Sequence, residues 1–96
     1  MSKFDDTVAK VVKRLREGRV LLSERIRSGK KRSISVGPYR TAVPQRQYAL
    51  FILPAMPDQD DVVHTNPDRV AREFVRLVGV DEAGNALVRE FRKREG

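Results

Sequence analysis

A chain of 96 residues with 20 Lys and Arg against 13 Asp and Glu, a net charge of +7 and 40% hydrophobic content has room for one domain, over residues 1–96, with a modest core. The absence of cysteine excludes a disulfide framework, a thiol nucleophile and a cysteine zinc site, and points to a reducing, cytoplasmic address. The positive excess favours an anionic partner, most commonly nucleic acid.

The first predicted element is an amphipathic helix. Phe4, Val8, Val11, Val12, Leu15, Leu22 and Ile26 fall on three- and four-residue spacings, which predicts a helix from about Asp5 to Arg27. Asp5 and Asp6 suit its positive N-terminal end, and Ser28 and Gly29 would stop it. Gly18 costs about 1 kcal/mol in a helix interior, so it marks a kink or a close backbone approach. So long a stripe in so small a domain could pair with a second copy, giving a homodimer.

Strands follow. "SISV" alternates with Ile34 and Val36 on one side, and "QYALFIL", Gln47 to Leu53, is apolar on both faces. Residues Tyr39 to Val43, between Gly37, Pro38 and Pro44, read as a third short strand or a wide hairpin loop. A strand apolar on both sides needs cover from two directions: the first helix on one, and a later helix or a partner subunit on the other.

"PAMPDQDDVVHTNP" reads as a linker. Asn66 as cap, Pro67 at the first helical position and Asp68 in the first turn then announce a helix with the stripe Val70, Phe74, Leu77, Val78, ending at Gly79. The tail "VDEAGNALVREFRKREG" is assigned to a last helix, capped by Asp81 and bearing Leu87, Val88 and Phe91, against the alternative of a turn and a strand. The expected fold class is α+β: a long N-terminal amphipathic helix, a two- to three-stranded antiparallel sheet, and one or two C-terminal helices.

Charge is distributed unevenly along this plan. Met1 to Pro57 carries thirteen cations and four acids, whereas Asp58 to Gly96 carries seven and nine. Arg25 to Pro57 contains seven cations and no carboxylate, where surface charge placed for solubility would mix the signs. The candidate contacts to phosphate are Lys13, Arg14, Arg27, Lys30, Lys31, Arg32, Arg40 and Arg46, with Tyr39 offering a stacking surface. The bland alternative is a solvated basic loop, or cations that neutralise the protein's own second half.

Other constellations are weaker. "LVGVDEAGNALVREF" resembles in outline a helix-turn-helix, with Gly79 and Val80 at the turn and Val88 inward, but Gly84 and Asn85 fall where packed residues belong, so an ordinary helical hairpin is preferred. Asp58, Asp60, Asp61 and His64 lack the spacing of a calcium loop and read as a solvated acidic segment; no metal and no cofactor are expected. "SGKKRS" lacks the upstream glycine of a phosphate-binding loop. His64 is the single histidine and the serines have no adjacent base in sequence, so no enzymatic activity is expected. "MSKFDDTVAK" is no signal peptide and "YALFILPAM" is too short to span a bilayer, so no membrane role is expected.

The function expected from these residues is non-enzymatic binding of DNA or RNA as an accessory or regulatory factor. The alternative is an interaction or assembly protein, an inhibitor or a subunit of a larger particle, whose basic face docks on an acidic protein.

Overall fold

The computed structural model describes residues 2–27, 29–39, 46–53 and 61–95. Its elements are helix α1 (Lys3–Arg16), strands β1 (Leu21–Arg27), β2 (Lys30–Tyr39), β3 (Gln47–Leu53) and β4 (Val62–His64), and helices α2 (Pro67–Val78) and α3 (Val80–Glu95). The strands form an antiparallel sheet in the order β1-β2-β3-β4. The α+β class holds, with a shorter first helix and one more strand than the sequence indicates.

Helix α1 starts where Ser2 Oγ accepts from the Asp5 amide, with Asp5 and Asp6 in the first turn. It buries Val8, Val11 and Leu15, one stripe at helical spacing. It does not reach Arg27. Gly18 adopts φ +84, a region open to glycine, and the Arg19 amide donates to the Arg14 carbonyl while the Gly18 amide donates to that of Leu15. That pair of bonds is a Schellman ending, so Gly18 stops the helix instead of kinking it. Leu22 and Ile26 continue the apolar spacing only by coincidence; both lie in β1.

Gly29, expected with Ser28 to stop a helix, instead has φ +76 in the β1–β2 connection, where Arg27 pairs with Lys30; Ser28 lies outside the described residues. Strand β2 runs through Pro38, which lies beyond Val36, the last residue with a β1 partner, where a missing amide is tolerated. Tyr39 ends β2; the remainder of the expected strand or loop, 40–43, lies outside the described residues. The segment taken as a linker contains β4, which pairs Val62 to His64 with Leu50 to Tyr48. The Asp61 carboxylate extends this ladder by accepting from the Ile52 amide at 3.2 Å.

Helix α2 is built as its sequence indicates: Asn66 Oδ1 accepts from the Asp68 amide, Pro67 occupies the first turn and Gly79, at φ +92, ends it. Gly79 alone separates it from α3. The last helix forms, but it starts at Val80, so Asp81 sits in its first turn and is not the cap.

All three helices lie on one face of the sheet. Val70, Phe74, Val75 and Val78 of α2 meet Val8, Val11 and Leu15 of α1, Ala83 and Ala86 of α3, and Leu21, Val36, Tyr48 and Leu50 of the sheet in one buried cluster. Ala83 and Ala86 are the fully buried residues among those of α3 whose burial is described, with Val80 and Leu87 partly buried against the same cluster. Val88, expected to point inward, is exposed.

Strand alternation assigns the remaining residues. Leu21, Ser23, Arg32, Ile34, Val36, Tyr48, Leu50 and Ile52 belong to the helix-side face. Leu22, Glu24, Lys31, Ser33, Ser35, Gly37, Tyr39, Ala49, Phe51, Leu53 and Val63 belong to the opposite, open face.

Candidate nucleic-acid interface

The predicted contact residues fall into three places. At one end of the molecule, the last turns of α1 bring Lys13 and Arg14 beside the start of β3: the Arg46 guanidinium donates to the Arg16 carbonyl at 3.3 Å. Lys10, Lys13 and Arg16 are exposed there, and Arg14 lies 3.8 Å from Glu17. Cations in a last helical turn are favoured by the negative end of the helix dipole. Lys10 and Arg16 join this group although the sequence reading left them out; their spacing of three from Lys13 on the α1 surface is the signal that identifies them.

At the other end is the β1–β2 hairpin. The ladder sets Arg25 opposite Arg32 and Arg27 opposite Lys30. The register thus sets two pairs of cationic positions at this end of the sheet. Lys31, one residue along, belongs to the open face, where it pairs with Glu24 at 3.2 Å. Thus "KKR" is not one patch, because Lys31 and Arg32 lie on opposite faces of the sheet.

The third place is the open face. Tyr39 and Phe51 meet there edge to face, with ring centroids 5.7 Å apart and planes at 65°. Gly37 and Ala49, a register pair, separate the two rings along the strands. Gly37 is closely overlaid by Val20; a Cβ at Gly37 would sit 2.8 Å from Val20 Cγ2 and 3.3 Å from Val20 Cα. Tyr39 and Lys31 are eight residues apart on β2, about 26 Å. Arg40 lies outside the described residues.

Several expectations concerning other chemistry meet specific partners. Ser23, for which the sequence offered no base, donates to Glu82 Oε1 at 3.1 Å from a nearly fully buried position. The same oxygen accepts from Arg89 at 2.7 Å, and Arg89 also donates to the Leu22 carbonyl at 3.0 Å. The Arg89 bond, aided by Ser23, holds the Glu82 carboxyl below its ordinary value against the opposing effect of burial. This cluster fastens α3 to β1. His64 Nδ1 accepts from the Asn66 amide at 2.9 Å at the entry to α2. Asp58 and Asp60 lie outside the described residues, which contain no cluster of metal-ligating side chains.

A shallow depression of about 460 Å³ at the α2–α3 junction is lined by Lys3, Gly79, Asp81, Glu82 and Asn85 among others. It borders the Ser23–Glu82–Arg89 cluster. Among the described residues no helix is long and apolar enough to cross a membrane. Neither a protein-family model, nor a curated protein, nor a solved structure matches this chain.

Proposed function

We propose that this protein binds nucleic acid without catalysing a reaction on it, as an accessory or regulatory factor. The observation that carries the reading is the β1–β2 hairpin, which opposes Arg25 to Arg32 and Arg27 to Lys30. Register pairs of like charge gather cationic positions at one end of the sheet, a sequence arrangement that favours a polyanionic partner. The α1 end, with Lys10, Lys13, Arg14, Arg16 and Arg46, supplies a second cationic contact. Contacts of this type position the protein along a phosphate backbone and carry no base-sequence information.

The reading is tested by charge reversal at each end separately. Lys31→Glu with Arg32→Glu, and Lys13→Glu with Arg16→Glu, each weaken binding of a DNA or RNA probe at least tenfold while the melting temperature stays near that of the parent chain. Unchanged binding in both variants overturns it.

The second reading, docking on an acidic protein surface, is favoured by one observation: the apolar residues exposed on the open face of the sheet. In that case the same charge reversals would leave nucleic-acid binding absent in parent and variants alike.

A further inference from the structure

The β1–β2 hairpin outgrows the rest of the sheet. Strand β3 pairs with β2 only from Ser33 to Tyr39, so Lys30, Lys31 and Arg32 have partners on β1 and, among the described residues, none on the other side. The end of the hairpin is therefore a two-stranded ribbon of three register pairs, Arg25 with Arg32, Ile26 with Lys31 and Arg27 with Lys30, closed through Gly29 at positive φ. Three pairs at about 3.3 Å per residue extend about 10 Å past the last row that β3 supports.

Alternation fixes which face of that ribbon is cationic. Ser23 and Ile34 are a register pair at the limit of the helix-covered core: Ser23 is buried and Ile34 packs against the core cluster. Two residues further on the same face the row is Arg25 and Arg32, and two further again it is Arg27 and Lys30. Every position on this face of the ribbon is cationic. Arg32 is exposed, and among the described residues no carboxylate engages it. The other face of the ribbon carries Ile26 and Lys31, and Lys31 is paired with Glu24.

Charge density and shape together decide what such a ribbon accepts. Its two cationic rows stand about 6.6 Å apart, and a DNA duplex carries one phosphate per about 1.7 Å of its axis, so the duplex matches the crowding of the cations. The major groove of B-form DNA, about 12 Å wide and about 8.5 Å deep, admits a two-stranded β-ribbon, and the three unsupported pairs are long enough to fill that depth. The major groove of an RNA duplex is too deep and narrow for side chains to read, and an unpaired strand offers no groove.

Resting on the nucleic-acid reading above, we infer that the partner is duplex DNA, with the β1–β2 ribbon laid in its major groove and the face of Arg25, Arg27, Lys30 and Arg32 turned toward the DNA. In that groove the cations meet the flanking phosphates and the O6 and N7 acceptors of guanine. Lys31 belongs to the face turned away.

The test uses as probes a DNA duplex of about 16 base pairs, an RNA duplex of the same sequence, and each single strand, with the whole chain, Arg32→Gln, the double variant Arg27→Gln, Lys30→Gln, and Lys31→Gln. The inference expects the DNA duplex to bind about tenfold or more tighter than the other probes, and Arg32→Gln and the double variant each to lose about tenfold on it. Lys31→Gln removes the same charge one residue away and should change binding by about twofold or less. Guanine N7 lies in the major groove, so the bound protein should protect it from methylation by dimethyl sulfate. Melting curves accompany the binding curves, and either ribbon variant that melts like the parent decides the matter. Equal affinity for all probes, an equal loss for Lys31→Gln and Arg32→Gln, or unprotected N7 in the saturated complex overturns the inference and leaves the nucleic-acid reading standing. No binding of any probe at low salt overturns both.

Discussion

The buried Ser23 hydroxyl of β1 donates to Glu82 Oε1 of α3, a residue 59 positions further along the chain. Because Arg89 donates to the same oxygen and to the Leu22 carbonyl, the edge strand is held to the last helix by one carboxylate. Replacing Glu82 with Ala leaves the Ser23 hydroxyl buried without its acceptor, a loss of about 1–3 kcal/mol. Glu82→Gln keeps an acceptor oxygen but loses the charge-assisted bond, and should cost less. Chemical denaturation of the two variants checks the order; equal stability of all three proteins would show that the cluster is not structural.

The same carboxylate gives the fold a dependence on acid. Glu82 is held below its ordinary value of 4.5, chiefly by the Arg89 hydrogen bond. A group whose pKa is lowered by folding contributes stability that is present above its unfolded value and lost as the pH falls through its folded value. The melting temperature should therefore fall below about pH 4.5 more steeply for the parent than for Glu82→Gln, so that the gap between them narrows. A gap that stays constant from pH 7 down to pH 3 would contradict this.

Among the described glycines, Gly37 is the one with no room for a side chain. A methyl group there meets Val20 Cγ2 at 2.8 Å and the Val20 Cα at 3.3 Å, and the second of these atoms is backbone. Gly37→Ala should destabilise by about 1–3 kcal/mol, as overpacking does elsewhere. The double variant Gly37→Ala, Val20→Ala should recover part of that loss, since the nearer of the two contacts is then removed. Additive effects of the two substitutions in a thermal melt would show that the contact does not matter.

What could be read in advance follows from how local each signal is. The cap Asn66-Pro67 and the stop Gly79 act within one turn, and α2 forms where they place it. The end of α1 was misread because Leu22 and Ile26 happen to sit at helical spacing beyond Gly18, while the decisive event, the turn of Gly18 to positive φ, depends on the carbonyls of Arg14 and Leu15 being captured behind it. Strand β4 has three residues, too few for an alternation to register against the prolines and aspartates around it. On α3 the expected Leu87 packs against the core, but the fully buried positions are Ala83 and Ala86, and alanine is too small to mark a stripe.

The candidate site was legible in charge and not in position. The acid-free run from Arg25 to Pro57 is visible in the sequence, but its division between two ends and two faces is a consequence of register. Lys31 and Arg32 are neighbours in the chain and lie on opposite sides of the sheet. The meeting of Tyr39 with Phe51 was not foreseeable from either strand alone, since it depends on the pairing of Gly37 with Ala49 between them.

On the proposed reading, the cations at the α1 end should bear on binding more than on folding. Lys13 and Arg16 are exposed, and Arg46 donates to a backbone carbonyl that no substitution at position 16 removes. Lys13→Glu with Arg16→Glu should shift stability by less than about 1 kcal/mol through the helix dipole. Unfolding curves run beside the binding measurements separate the two effects; a large loss of stability would mean that these residues serve the fold.

The central claim, that the basic ends engage phosphates, is tested most directly by the salt dependence of duplex binding. Release of counterions from about four contacts predicts that log K falls against log salt with a slope near about −3.6, a loss of roughly 150-fold between 50 and 200 mM salt. Reversal of Lys31 and Arg32, or of Lys13 and Arg16, should flatten that slope. Affinity that does not change across this range, or no measurable binding at 50 mM salt, would contradict the account.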